Sequence, residues 1–279
     1  MSDIMQYGTQ MPNFGDIWRS LQRESNGECS ARTIDDDEER KFWKSFIKRR
    51  STEAKDDYSD VVMSAVNGIL GDRIYDSILE IGPGWGNYTF DLATNCRSIT
   101  CVDISPDVLS VIRERGREQR IWIDTVNSKW EDYSGKSADV IFGFNCFYRM
   151  RDIEDCIRKI DAKGNDLHII GMTSGPEQEY YKAFHDRLGL DIKYDRLDYI
   201  LLVNILYQQG IDCNLKIIPL QNEYVFPSMK QLIASETRRI MNEDYDRKAV
   251  ERILRRYFER DADGMYHYVH RFNAALIYW

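Results

Sequence analysis

No CxxC pair occurs among the six cysteines (Cys29, Cys96, Cys101, Cys146, Cys156 and Cys213), and no histidine stands at metal-ligand spacing from any of them. They read as reduced, mostly buried thiols. The chain has only four histidines, and they form no His/Asp/Ser or His/His/Glu constellation. Hydrolytic and metal-dependent mechanisms therefore find no support in the pattern. A basic excess is also lacking: the formal charge is −8, which argues against a general nucleic-acid binder. Local basic runs at 113–120 and 252–260 read as solvated helix faces. No apolar run is long enough to span a bilayer, so no membrane partner is expected. The first residues show neither the basic start nor the apolar core of a signal peptide, and the expected compartment is the cytoplasm.

The 279 residues present are 43 % apolar and 30 % charged, an ordinary balance for a globular chain with a sizeable core. The most informative stretch runs from Ser77 to Ala93, SILEIGPGWGNYTFDLA. Ile78, Leu79 and Ile81 form an apolar run that ends on an acid, Glu80. Glycines follow at Gly82, Gly84 and Gly86 around Pro83, and then a helical pattern begins. This is a buried strand, a turn free of side chains, and a helix whose N-terminus faces the turn. A dinucleotide fingerprint needs glycine at the sixth position, and Asn87 stands there.

Beyond the turn, strands and helices alternate. Strands are expected at Ile78–Ile81, Ile99–Asp103, Trp122–Val126, Val140–Phe144, Leu167–Met172 and Cys213–Ile218, with Tyr266–Trp279 closing the chain. Helices are expected at 87–95, 106–115, 152–160, 177–188, 199–209, 228–241 and 247–259. Repeated strand–helix units imply a parallel sheet covered on both faces. Before the first strand, 35–50 and 56–70 read as amphipathic helices lying over its C-terminal edge. Residues 1–32 read as an irregular or partly ordered arm.

The pattern Glu80-x-Gly82-x-Gly84-x-Gly86 resembles that of class I S-adenosylmethionine-dependent methyltransferases, and the likeness extends over roughly 58–190. It implies an α/β fold, a doubly wound, mostly parallel sheet of seven strands whose last strand returns antiparallel. Residues 1–70 would then cover the site, 71–279 would form the methyltransferase domain, and the helices at 228–260 would be an insertion before the last strand. The implied cofactor is S-adenosyl-L-methionine. Asp103, 21 residues after Gly82 at the end of the second strand, would accept hydrogen bonds from the ribose hydroxyls. Ile104 would lie against the adenine, and Glu80 beside the cationic methionine part. Asn127, Ser128 and Trp130 are candidates for the adenine edge. Phe144 and Asn145 are candidates for contact with the cofactor at the fourth strand's end, with Tyr148 facing the acceptor as the catalytic candidate. The loop at Thr173–Pro176 is a further candidate lining, with a helix cap as its plain alternative.

The function this implies is methyl transfer to a small-molecule N, O, S or C nucleophile by in-line displacement. Two alternatives stay open. Asn145-Cys146-Phe147-Tyr148 echoes the N-[PL]-P-[YF] of N-methyltransferases acting on nucleic acid or protein, without its proline. A non-catalytic cofactor-binding protein would carry the same residues. Of the histidines, His168 reads as core and His185 as exposed, while His267 and His270 read as part of an aromatic edge strand.

Overall fold

β1 (Tyr75–Ile81) alternates its side chains into two separate cores, and that alternation organises everything around it. The computed structural model describes residues 11–22, 29–49, 55–193 and 197–279. Helices α1 (Phe14–Leu21), α2 (Ala31–Ile34), α3 (Asp36–Arg49) and α4 (Ser59–Leu70) precede β1. After it come α5 (Thr89–Leu92), β2 (Cys96–Asp103), α6 (Pro106–Gln119), β3 (Asp124–Asn127), β4 (Ala138–Phe144), α7 (Ile153–Lys163), β5 (Gly164–Ser174), α8 (Glu179–Leu188) and α9 (Tyr199–Gln208). The chain closes with β6 (Asn214–Phe226), α10 (Met229–Glu236), α11 (Arg247–Tyr257), β7 (Glu259–Arg260) and β8 (Tyr266–Tyr278). The strand order is β3-β2-β1-β4-β5-β8-β6. β1 to β5 pair in parallel, and β8 runs antiparallel to both β5 and β6.

Ile78, Ile99 and Val140 face α4 and α6, where Val62, Val66, Val108 and Ile112 meet them. Leu79, Ile81, Ile141 and Ile170 face α7 and α9, through Ile153, Ile157, Leu202 and Leu206. A third core lies apart from both. Tyr180 and Phe184 of α8, Leu232 of α10, and Val250 and Leu254 of α11 pack with Tyr266. Its platform is the hairpin of β6 and β8, which pairs beyond the sheet: β5 stops at Ser174 opposite Asn273, whereas residues 220–226 continue against 266–272. At roughly 3.3 Å per residue that ribbon rises about 20 Å above the C-terminal edge.

Several expectations are corrected. The sheet has eight strands, because the two-residue β7 adds to β8. The third strand begins at Asp124: Trp122 is 84 % exposed, and pairing with β2 starts at Thr100 opposite Asp124. The sixth strand runs to Phe226, and β8 lies between β5 and β6 in the sheet; beyond Asn273 it pairs with β6 alone at His270, and with β6 and β7 at His267. The helix expected from residue 87 starts only at Thr89, because the glycine turn continues through Tyr88, and it ends in a 3-10 turn at Ala93–Asn95. α4 packs on a sheet face; only α3 lies over the edge. The irregular arm contains α1, while Met1–Gln10 (with Tyr7), residues 23–28 and Arg50 lie outside the described residues. Among the described residues no helix is long and apolar enough to cross a membrane.

α1 is held by Trp18, whose ring is fully buried and whose Nε1 donates to the Met150 carbonyl at 2.8 Å. Trp18→Ala removes a large buried ring and one of the two donors to that carbonyl, Gln22 Nε2 at 3.0 Å being the other. Urea unfolding is expected to show a loss of about 3–5 kcal/mol; a loss below about 1 kcal/mol would mean that α1 is not docked on α7 and α9.

Candidate functional site

The C-terminal ends of β1, β2, β4 and β5 open into one cavity of about 1000 Å³. That lies at the upper end of the roughly 300–1,000 Å³ of small-molecule sites. At its floor is the turn after β1, where Gly82, Gly84 and Gly86 have φ of 61°, 55° and 83°. Such values strain any residue with a Cβ. The three glycines serve different ends. A Cβ on Gly82 would stand 2.5 Å from Cβ of Cys146, and one on Gly86 would stand 2.8 Å from Phe90 and 2.9 Å from Ile112. Only Gly84 looks onto open space, with Trp43 at 3.8 Å.

Glu80 is almost wholly buried at the end of β1. Its Oε2 accepts from Thr89 Oγ1 at 2.6 Å and lies 3.5 Å from the Cys101 thiol. Burial disfavours the charge and pushes its pKa to about 7, against the pull of those two donors. Asp103 ends β2 in the same condition, pushed to about 7 by burial and further by nearby Glu39. Its Oδ1 accepts the Ser105 N–H at 2.7 Å, while Ser105 caps α6 through the Val108 N–H. Asp103 is thus not the cap, and its second oxygen takes no hydrogen bond among the described residues.

Glu80, Gly82, Pro83, Gly84, Asp103, Ile104, Ser128, Trp130, Phe144, Asn145 and Tyr148 all line the cavity. Gly86 and Asn127 do not. The Asn127 amide donates to the carbonyls of Asp103 and Ile104 at 3.0 and 2.9 Å, tying β3 to the end of β2. Trp130 is mainly a core ring: it stacks on Tyr133 at 5.5 Å and donates to the Cys156 carbonyl. Tyr148 donates its hydroxyl to Asn145 Oδ1 at 2.9 Å, and burial raises its pKa to about 12. A phenol so placed is a wall and a hydrogen-bond anchor; it is no base near neutral pH.

Asn145 sits at φ 55°, an uncommon position for a residue with a side chain. It is over-determined there. Oδ1 accepts from the Thr173 N–H at 2.8 Å as well as from Tyr148, and Nδ2 reaches the Tyr58 hydroxyl at 3.5 Å. The echo of an N-methyltransferase motif is therefore a locked hub between β4 and β5.

Other lining residues come from outside the strand–turn pattern. Glu39 of α3 accepts both Arg32, at 2.6 and 3.0 Å, and the Trp43 indole at 2.8 Å. α3 is clasped to the glycine turn by Phe46, whose ring stacks on Trp85 at 4.6 Å and 2°. Aromatic spacing on α3 signalled a buried face, yet nothing in it said which partner it meets. Tyr88 carries a buried hydroxyl with no hydrogen-bond partner among the described residues, and Tyr58, Asp56 and Glu80 lie near it. An orphaned hydroxyl beside the buried Glu80 carboxyl and the half-buried Asp56 is a polar pocket that suits a donor-rich, cationic ligand. The ammonium and sulfonium of S-adenosylmethionine fit that description, and its ribose hydroxyls fit the open oxygen of Asp103. No group of His, Cys, Asp and Glu among the described residues could hold a metal ion.

Comparison with known proteins agrees with this arrangement. The methyltransferase domain family matches residues 78–162. Among curated proteins none matches the chain. A solved protein of Bacillus halodurans C-125, described as a candidate methyltransferase, superposes with a TM-score of 0.51 at 11 % identity, covering 77 % of this chain and 96 % of that one. The YcgJ protein of Bacillus subtilis superposes with a TM-score of 0.50 at 13 % identity over the same shares. At such identity these likenesses speak for the fold. The sequence match is the independent observation: it begins inside β1, takes in the glycine turn and Asp103, and ends in α7. On that ground the chain carries, over residues 78–162, a methyltransferase domain of the S-adenosylmethionine-dependent kind.

Proposed function

We propose that the chain transfers the methyl group of S-adenosylmethionine to a small-molecule acceptor. The observation that carries this reading is a single cavity reaching from Glu80, Gly84 and Asp103 to Asn145, Thr173 and Ser174 at the ends of β4 and β5. Ligands of open α/β sheets bind outside the carboxyl ends of the strands. Asp103 would hold the ribose hydroxyls, Ile104 and Ser128 the adenine, and Glu80 with the Tyr88 hydroxyl the methionine end. Phe144 and Asn145 would border the sulfur. When bound, the cofactor supplies a methyl group already activated by its sulfonium.

The rest is the work of this chain's own residues. They align the acceptor in line with the departing sulfur and exclude water. Of residues 1–70, α1 and α3 serve as the cover: α3 clasps the glycine turn, and α1 brings Leu21 and Gln22 to the cavity wall. The late helices brace the β6–β8 ribbon, which contributes Tyr224, His270 and Phe272 to the acceptor end. A cavity closed in this way suits a small molecule better than a polymer, and the net charge of −8 points the same way.

Calorimetric titration of the purified protein is expected to give micromolar affinity for S-adenosylmethionine and for its demethylated product. Absence of heat with both ligands would overturn the reading.

A further inference from the structure

Asp198 occupies the N-cap position of α9, yet its side chain makes no capping hydrogen bond. Aspartate is among the best capping residues, worth about 1 kcal/mol there. Here the carboxylate turns instead toward β5. The Ser174 hydroxyl lies 3.1 and 3.0 Å from its two oxygens. Both residues line the cavity, and no lysine or arginine pairs with Asp198 among the described residues. A half-buried carboxylate with one hydroxyl donor and no counter-cation retains unused acceptor capacity facing the ligand space.

Its place in the network is specific. Ser174 follows Thr173, whose N–H donates to Asn145; Asn145 in turn accepts Tyr148 and reaches Tyr58. Asp198 is near enough to Tyr148 to disfavour its ionisation. The carboxylate thus stands at the ends of β4 and β5, beside the hub that borders the reactive end of the cofactor reading. Tyr58, Tyr148 and Tyr199 line this same end. A carboxylate among tyrosine rings recognises a cation: the charge pairs with the carboxylate, and ring faces attract ammonium groups.

We infer that Asp198, held by Ser174, is the acceptor-binding residue of an amine subsite, so that the methyl acceptor is a primary or secondary amine. This rests on the methyl-transfer reading above and narrows it to nitrogen. The amine enters as an ammonium and passes one N–H proton to the Asp198 carboxylate. The freed electron pair forms the new N–CH3 bond, while the C–S bond breaks and its pair stays on sulfur. The positive charge lost by sulfur ends on the methylated nitrogen, so net charge in the cavity is conserved.

The test uses the full chain loaded with S-adenosylhomocysteine and three probes of one shape: phenethylamine, 2-phenylethanol and 3-phenylpropionate. Calorimetry should show the amine binding at least tenfold more tightly than the alcohol, and no binding of the carboxylate. Asp198→Asn should weaken the amine at least tenfold and leave the alcohol and S-adenosylhomocysteine within twofold. Ser174→Ala, which frees the carboxylate to turn away, should weaken the amine about threefold. Should Asp198→Asn fail to bind S-adenosylhomocysteine, Asp198→Glu keeps the charge and should keep the amine preference. With S-adenosylmethionine, mass spectrometry should find the added methyl on the amine nitrogen. Equal binding of amine and alcohol, preference for the carboxylate, no amine binding, or an unchanged amine affinity in Asp198→Asn overturns the inference. Loss of S-adenosylhomocysteine binding by the wild-type chain would instead strike the cofactor reading.

Discussion

Asp103→Ala is expected to weaken S-adenosylmethionine binding by at least about 100-fold. A hydrogen bond to a charged group contributes roughly 1.5–3 kcal/mol. The open oxygen of Asp103, with the share of Oδ1 not given to Ser105, can take both ribose hydroxyls. Two such bonds amount to about 3 kcal/mol or more, and every 1.4 kcal/mol is tenfold. The substitution also removes the acceptor of the Ser105 N–H, so part of the effect could be a shift at the start of α6. Asp103→Asn separates the two: it keeps an acceptor for Ser105 and loses the charge, and its affinity should fall between wild type and Asp103→Ala. Calorimetry on the three proteins, with urea unfolding alongside, reads both effects. An affinity within threefold of wild type in Asp103→Ala would remove Asp103 from the cofactor site.

Affinity for the cofactor should rise at least about tenfold from pH 6 to pH 8. The sign follows from burial. Glu80 and Asp103 each have a carboxyl pushed to about 7, so below that pH the unliganded site is largely neutral. A cationic ligand favours the ionised form of Glu80, and strong acceptance of two hydroxyls favours the ionised form of Asp103. Binding therefore releases protons near pH 7, and affinity increases as they become easier to lose. Calorimetry in buffers of different ionisation enthalpy should register up to two protons released at pH 6 and few at pH 8.

Stability carries the complementary trend. A carboxyl whose folded pKa is raised favours the fold fully below the unfolded value, near 4 for both groups. That contribution is lost as pH rises through about 7. The unliganded protein should therefore lose stability from about pH 4.5 to 7, and the cofactor should raise Tm more at pH 8 than at pH 6. A flat affinity over this range would mean that neither carboxylate meets the ligand.

The alternation of apolar residues made the sheet legible. Ile78, Leu79, Ile81, Ile99, Val140 and Ile141 read as strand residues because a central parallel strand is buried on both faces. The glycine turn was legible for the same reason: few other sequences break a buried strand so abruptly. Strand ends were less so. Trp122 mimics strand pattern, but it lies two residues before the pairing register and points to solvent. β6 was cut short at Ile218 because the polar Asn222 on the inward face and the apolar Val225 on the exposed face blur the alternation that the strand itself keeps. α1 was missed since a short segment with one buried ring, Trp18, has little periodicity of its own.

Among site residues, those fixed by local backbone chemistry were readable and those recruited by tertiary packing were not. Glu80, Gly84 and Asp103 follow from strand and turn alone. Asn127 has the right position and the wrong orientation, because its amide is consumed by two carbonyls of the neighbouring strand. Glu39 and Trp43 look like any helix face. Asp198 stands just before the helix expected at 199–209 and drew no reading from the sequence; the position of Ser174 sets it apart. The N-P-P-Y echo misled in part: Asn145 and Tyr148 do meet, but each satisfies the other, leaving no free phenol to act as base.

The central claim is that one cavity orients S-adenosylmethionine between Asp103 and the ends of β4 and β5. A crystal structure of the full chain with S-adenosylhomocysteine tests it most directly. The account predicts density with both ribose hydroxyls within hydrogen-bond distance of Asp103, the amino acid end beside Glu80 and Tyr88, and the sulfur facing the space enclosed by Asn145, Tyr58 and Asp198. Density elsewhere on the protein, or the ribose turned away from Asp103, would contradict it.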